Sequence, residues 1–209
     1  MTEYYIPSGS GEAEFTEKRS RFLGHMRCVE SEEEARAFIA EMKKEYYDAR
    51  HNCWCYIIRG GAERYSDDGE PQGTAGIPML EVLRRENICN AVCVVTRYFG
   101  GVLLGAGGLL RAYTKSAKDA LDAAGISVVR RWMECEIPCS YSISERLKTL
   151  VSGCGGVISD VEYGAAVTIK ALIPEGSAEG FKAAVFDESS GSSAATVTGE
   201  CFRGVKITP

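Results

Sequence analysis

The stretch Val94-Val95-Thr96-Arg97-Tyr98-Phe99-Gly100-Gly101-Val102-Leu103-Leu104-Gly105-Ala106-Gly107-Gly108-Leu109-Leu110-Arg111 passes from a run of β-formers through a glycine-dense loop into a helical pattern. Glycine removes the side chain that keeps a ligand away from the backbone, and a helix start leaves amide N–H groups unpaired. Strand, glycine loop and helix start in this order form a cradle suited to an anion. Arg97 stands just before Gly100 and Gly101, while Arg111 and Lys115 follow at helical i, i+4 spacing. With the amides of Gly105, Gly107 and Gly108, these cations outline a candidate site for phosphate or carboxylate. The same glycines equally serve chain reversal and close helix-strand packing, and the sequence leaves both readings open. Two standard nucleotide motifs are excluded. No Gly-Lys-Ser/Thr closes the loop, and Gly105-x-Gly107 lacks the third glycine and the later acidic residue of the dinucleotide fingerprint.

Working outward, Ala91–Tyr98 is continuously apolar and predicts a central strand. Leu110, Tyr113, Ala117, Leu121 and Ala124 predict the buried face of the helix after the loop, and Gly125 its end. Upstream, residues 1–19 read as a polar lead. The alternation Phe22, Gly24, Met26, Cys28 predicts a half-buried strand over 20–29. Ser31 with Glu34 forms a capping box for a helix whose Ala35, Phe38, Ile39, Met42 and Tyr46 share one face. Asn52–Arg59 and Glu63–Ser66 flank Gly60-Gly61 as a hairpin, and a helix follows from Pro78 to about Asn87.

Asp67-Asp68-Gly69-Glu70-Pro71-Gln72-Gly73-Thr74-Ala75-Gly76 is a second turn-rich loop. Three carboxylates within four residues suit a hard cation such as magnesium, yet the calcium-loop spacing is missing and Asp-Asp-Gly-Glu-Pro is good turn chemistry, which favours a turn. Gln72 and Thr74 offer neutral hydrogen bonds beside an anion. His51 heads a strand and has no Ser or Cys nucleophile paired with it by a known motif, so a structural role is favoured over acid-base work.

Gly125 to about Val129 reads as a linker, because the pattern restarts beyond it: a strand from Trp132, a helix over 142–152, strands near 157–162 and 165–173, a helix near 178–186 and a last strand near 195–202. This βαββαβ order matches the split β-α-β plan. The expectation is thus an α+β protein of two domains, 1–127 and 128–209. At 209 residues and 45% hydrophobic content, the chain is large enough for two modest cores.

A net charge of −5 excludes a whole-molecule basic field, so any nucleic-acid contact must be a local patch. No apolar run approaches the roughly 20 residues of a membrane span, and the lead lacks a signal-peptide core, which predicts a cytoplasmic protein. Nine cysteines scattered through hydrophobic segments read as reduced core thiols without disulfides. Cys135 and Cys139 would lie about 13 Å apart on an extended segment, too far to share a metal. With His25 and His51 as the only histidines, no closed zinc site is expected.

Two blocks taken together, Ser66 to Gly76 and Val95 to Gly105, with Gly108-Leu109-Leu110-Arg111-Ala112-Tyr113 beyond, resemble the signature of the YigZ/IMPACT family over nearly the whole chain. The resemblance implies a bacterial-type member. Its N-terminal domain would be a two-layer α/β domain similar to domain IV of elongation factor G and to the GHMP-kinase core, and its C-terminal domain ferredoxin-like. Asp67, Asp68, Glu70, Gln72, Thr74, Arg97, Gly100, Gly101, Gly105, Gly108 and Arg111 occupy matching motif positions. No catalytic residue is implied. The eukaryotic relatives regulate translation by binding the activator of a starvation-responsive kinase, through a chain that carries an additional RWD domain.

From these features the expected function is a non-catalytic, translation-associated binding protein. It would contact RNA, the ribosome or a translation-control protein through the glycine loop with Arg97, Arg111, Lys115 and Lys118. The alternative is an enzyme or sensor for a small phosphorylated ligand or nucleotide, with magnesium on Asp67, Asp68 and Glu70. A third reading makes the chain a pure protein-interaction module with a purely structural loop. No resident cofactor is expected under the first and third readings.

Overall fold

A computed structural model describes residues 3–206 of the chain. It divides into two compact units: Tyr4–Val128 with the segment from Gly204, and Val129–Arg203 with Glu3. The expected linker at Gly125–Val129 is not a loop. Ile126–Cys139 is one continuous strand, and residues 204–206 group with the N-terminal unit.

The N-terminal unit runs β1 (Tyr4–Pro7), β2 (Ser10–Glu17), β3 (Ser20–Cys28), α1 (Glu32–Glu45), β4 (His51–Ile57), β5 (Glu63–Ser66), α2 (Gly76–Arg85), β6 (Ala91–Tyr98) and α3 (Ala106–Ala124). Its sheet has the order β2-β3-β6-β4-β5, every pair antiparallel, with β6 central. The polar lead contains two strands that the sequence did not disclose. The β2-β3 hairpin turns on Lys18 (φ 45°) and Arg19 (φ 67°), a two-residue turn in the left-handed region without the Asn-Gly or Gly signal that usually marks it.

Helices cover both faces of this sheet, so the unit has three layers, not the two expected. Phe38, Ile39 and Met42 of α1 pack on Tyr56, Val92 and Val94. On the other face Met79 and Leu83 of α2 and Tyr113, Ala117 and Leu121 of α3 pack on Phe22, Met26, Cys53, Cys55, Cys93 and Val95. The continuous apolar run of β6 follows from this: odd and even residues are both covered. Ser31 Oγ accepts from Glu34 N, while Glu34 reaches back to the Glu30 amide, so the predicted N-terminal box of α1 closes one residue further out. On α3 the buried face begins at Leu109; Leu110, assigned to it by spacing, is 47% exposed.

Gly11 and Gly24 bring α3 close to the sheet. A Cβ on Gly11 would stand 2.2 Å from the Ala120 carbonyl oxygen, and one on Gly24 2.6 Å from that of Ser116. Gly125, with φ 72°, ends α3 by donating to the Leu121 and Asp122 carbonyls.

The C-terminal unit follows the order β7 (Ile126–Cys139), α4 (Tyr141–Gly153), β8 (Val157–Tyr163), β9 (Val167–Pro174), a 3-10 turn (Glu175–Ser177), α5 (Ala178–Glu188) and β10 (Thr196–Lys206). β9 lies between β7 and β8, antiparallel to both, and β10 pairs with β7. Cys135, Ile137, Val167, Ile169 and Ile173 meet Leu147 and Val151 of α4 and Phe181 and Val185 of α5 in a separate core.

Candidate functional site

The register of β4 on β6 sets His51 directly opposite Arg97, at the end of the sheet face that α2 and α3 cover. Facing them from the β5-α2 loop is Glu70, a carboxylate only 8% exposed. Arg97 Nη1 donates to Glu70 Oε1 at 2.6 Å, and Tyr113 of α3 donates its hydroxyl to the same oxygen at 2.9 Å. Arg97 Nη2 reaches Ser20 Oγ at 3.4 Å, while its Nε is buried without a partner among the described residues. The Arg97 guanidinium lies over two rings, Phe22 at 5.6 Å and Phe99 at 5.5 Å. His51 Nδ1 lies 2.8 Å from the Asp68 carbonyl oxygen, so Nδ1 carries the proton and donates. In the neutral imidazole Nε2 is then the acceptor, and it lies 4.0 Å from Glu70 Oε1.

Beneath this cluster sits Cys53, whose thiol donates to the Asp67 carbonyl and reaches the Tyr113 hydroxyl at 3.4 Å. Burial pushes the Cys53 thiol up to about 12 and holds the Tyr113 phenol well above its ordinary value, so both stay protonated and act as donors.

His51, Glu70 and Arg97 line a cleft of about 340 Å³ together with Arg50, Gly69, Pro71, Phe99, Leu103, Leu104, Gly105, Ala106 and Leu109. The N-terminus of α3 borders it. Gly105, with φ 72°, is the residue before the first turn, and no side chain among the described residues caps that end. Its leading amides are therefore open to an acceptor from the cleft. Two kinds of glycine build the loop. Gly100 is a packing residue: a Cβ there would meet the Arg19 carbonyl carbon at 2.0 Å, and its amide donates to Ser20 Oγ. Gly101 (φ 82°) and Gly105 are conformational, with open space around them.

The second loop is built from within. Asp67 accepts from the amides of Gly73, Ala75 and Gly76, and so caps α2, whose own N-cap residue is Ala75. Asp68 takes Lys43 Nζ at 2.6 Å and the Asn52 amide. Thr74 Oγ1 donates to the Pro71 carbonyl, and Gln72 is exposed. With Glu70 held by Arg97 and Tyr113, the three carboxylates serve three separate sets of protein donors. They do not fit a magnesium ion, and among the described residues no group of three or more His, Cys, Asp or Glu is arranged to hold a metal.

The cations predicted for one anion site fall into two places. Arg97 is in the cleft, whereas Arg111 and Lys115 line a separate depression of about 170 Å³ with Phe15, Glu17, Lys18, Leu104, Gly108 and Ala112. Lys115 pairs with Asp119, and Lys118 with Glu86 and Asp122. Gly107 is exposed on the first turn of α3, where a Cβ would meet the Arg111 guanidinium at 3.6 Å. Among the residues that escaped the sequence reading, Arg50 lines the cleft, while Ser20 and Tyr113 hold the buried Arg97-Glu70 pair from behind it. Arg50 is exposed and has no ion pair among the described residues, Ser20 is fully buried, and Tyr113 was read as a core residue. The pairing of β3 with β6 brings in Ser20, that of β4 with β6 brings in Arg50, and the packing of α3 on the sheet brings in Tyr113.

Among the described residues no helix is long and apolar enough to cross a membrane. All nine cysteines are free thiols.

Both loops lie within residues 18–121, which match the family model described as Impact N-terminal domain; residues 137–192 match a domain of unknown function, DUF1949. The chain is 35% identical over 196 residues to the IMPACT family member YvyE of Bacillus subtilis, covering 92% of this chain and 90% of that protein. It is 33% identical to the IMPACT family member YigZ of Escherichia coli, covering 92% and 96%. A Dictyostelium discoideum protein named Protein IMPACT homolog is 38% identical over 128 residues, 58% of this chain and 35% of that longer one. A solved structure described as that of an hypothetical protein superposes with a TM-score of 0.60 at 32% identity, covering 95% of this chain and 98% of the other. The two loops that frame the cleft, the matched N-terminal model and the near full-length relatives agree: the chain belongs to the IMPACT family.

Proposed function

We propose that this protein is a non-catalytic, translation-associated binding protein that engages RNA through the cleft between the glycine loop and the Asp67–Gly76 loop. The observation that carries this reading is the convergence of Arg50, Arg97 and the uncapped start of α3 on one cavity. Backbone amides and arginines are the usual contacts to nucleic-acid phosphates, and a local patch suffices when the net charge is −5. The role of the eukaryotic relatives in translation adds support. We also read the C-terminal unit as ferredoxin-like, on its βαββαβ order and its strand sequence β10-β7-β9-β8, and the N-terminal unit as akin to domain IV of elongation factor G. The test is co-sedimentation with ribosomes and purified ribosomal RNA across roughly 50–200 mM salt, where phosphate contacts weaken binding steeply. Salt-independent association would instead favour a translation-control protein as partner.

One observation favours a second reading, an enzyme or sensor for a small phosphorylated ligand. His51 Nε2, an acceptor, and the buried Glu70 carboxylate face one small cavity, the arrangement expected of proton-transfer groups. This version needs no magnesium on the Asp67 loop.

A further inference from the structure

The size and lining of the cleft narrow what it takes. At about 340 Å³ it lies at the lower end of the range for small-molecule pockets, enough for one nucleotide unit and too small for a run of backbone. One side is cationic and donor-rich: the open amides after Gly105, Arg50, which has no ion pair among the described residues, and Arg97, whose 6%-exposed side chain keeps an Nε without a partner among them. The opposite character is presented by the Glu70 carboxylate and, in the neutral imidazole, by His51 Nε2, acceptors suited to hydroxyl or amino donors. The rim is apolar and unsatisfied, for Phe99 is 42% exposed and Leu103 81% exposed. An exposed aromatic ring beside a phosphate site is a stacking platform for a base.

We propose that the cleft binds a terminal nucleoside monophosphate, its phosphate on the α3 start with Arg50, its ribose hydroxyls on Glu70 and His51, and its base against Phe99 and Leu103. The source is either the 5′-phosphorylated end of an RNA or a free nucleotide, which share this chemistry. A terminal phosphate carries more charge and more free oxygens than an internal diester, which matches a site with several unshared donors. The inference rests on the RNA-binding reading only for the first of these sources.

The test is calorimetric titration of the full chain with four probes: a short 5′-phosphorylated RNA, the same RNA with a 5′-hydroxyl, adenosine monophosphate, and inorganic phosphate. Binding of the phosphorylated RNA about tenfold tighter than the hydroxyl form, or binding of the mononucleotide above inorganic phosphate, is expected. Arg50→Ala and Phe99→Ala, at two exposed positions, should each weaken that binding severalfold while thermal melts check that the fold is kept; wild-type affinity in both folded variants overturns the site. Equal affinity for the two RNAs with no mononucleotide binding overturns the terminal-phosphate site while leaving RNA binding standing. Absence of binding by every probe overturns both. Mononucleotide binding without RNA binding supports the site and removes the RNA reading.

Discussion

Arg97 Nη1 donates to Glu70 Oε1 across 2.6 Å, and the two side chains are 6% and 3% exposed. A buried pair of this kind is costly to assemble and costlier to break. Removal of one partner leaves an uncompensated charge in a medium that cannot solvate it. Tyr113 donates to the carboxylate and Ser20 accepts from Arg97 Nη2, which helps hold the pair at the edge of an apolar core, while Arg97 Nε has no partner among the described residues.

Arg97→Ala should therefore lower stability by about 3–5 kcal/mol in urea unfolding. The double variant Glu70→Gln with Arg97→Met should recover a substantial part of that loss, because neither charge is left stranded. A loss in the double variant equal to the sum of the losses in Glu70→Gln and Arg97→Met alone would show that the pair is not energetically coupled.

The cap on α2 makes a second prediction. Asp67→Ala removes an acceptor for three amides and should cost about 1–2 kcal/mol, whereas Asp67→Asn keeps one oxygen acceptor and should cost less. Denaturation midpoints of the two variants measure the difference. Equal midpoints would mean that the carboxylate contributes only its charge.

The glycines divide by mechanism, and alanine substitution separates them. Gly24→Ala and Gly100→Ala place a Cβ 2.6 Å and 2.0 Å from backbone atoms that cannot move without displacing β3, α3 or the hairpin turn. Each should destabilise by about 1–3 kcal/mol or more. Gly105→Ala meets open space, but φ 72° with ψ 165° is a backbone region essentially confined to glycine, at a cost of about 1–3 kcal/mol. Gly107→Ala, on the exposed first turn of α3 with no positive φ, should be neutral or stabilise slightly. Thermal melts of the four variants rank them.

A fourth prediction concerns pH. His25 is 5% exposed with Nε2 unpartnered, and burial lowers its pKa, an effect that Arg27 adds to and that Glu12 and Glu45 partly offset. A histidine with a depressed folded-state pKa binds fewer protons folded than unfolded. Its neutral form fits at and above pH 6.5, and stability falls as the pH drops below that value. Glu14 and Glu32, both held below the ordinary carboxylate value of 4.5 by hydrogen bonds from Arg21 and Tyr56, contribute their loss only at lower pH. Urea unfolding between pH 7 and 5 should show wild-type stability falling more steeply than that of His25→Gln. Parallel curves would remove His25 as the cause.

Local signals carried much of the secondary structure. The Ser31 cap, the unbroken apolar run Ala91–Tyr98, the helix ending at Gly125 and the β-α-β-β-α-β order after it all lie where short-range chemistry puts them. The failures share a cause. β1 and β2 were missed because their residues are half polar and the Lys18-Arg19 turn has none of the residues that announce a left-handed turn. The helix cover on both faces was missed because an apolar run states that a strand is buried without stating which helix lies on which side.

By itself the sequence determined which residues hold the family pattern, where most elements begin and end, and that the two loops Asp67–Gly76 and Gly100–Gly108 carry that pattern. It could not determine that His51 faces Arg97, that Glu70 is the carboxylate drawn inward while Asp67 and Asp68 cap and brace the loop, or that Arg111 and Lys115 lie outside the cleft. Those are outcomes of strand register and helix packing, which join residues 27 to 77 positions apart. Spacing along a chain governs neighbours within an element. Contacts between elements depend on how the whole core is buried, and that alone places one carboxylate, one histidine and one arginine around a single cavity.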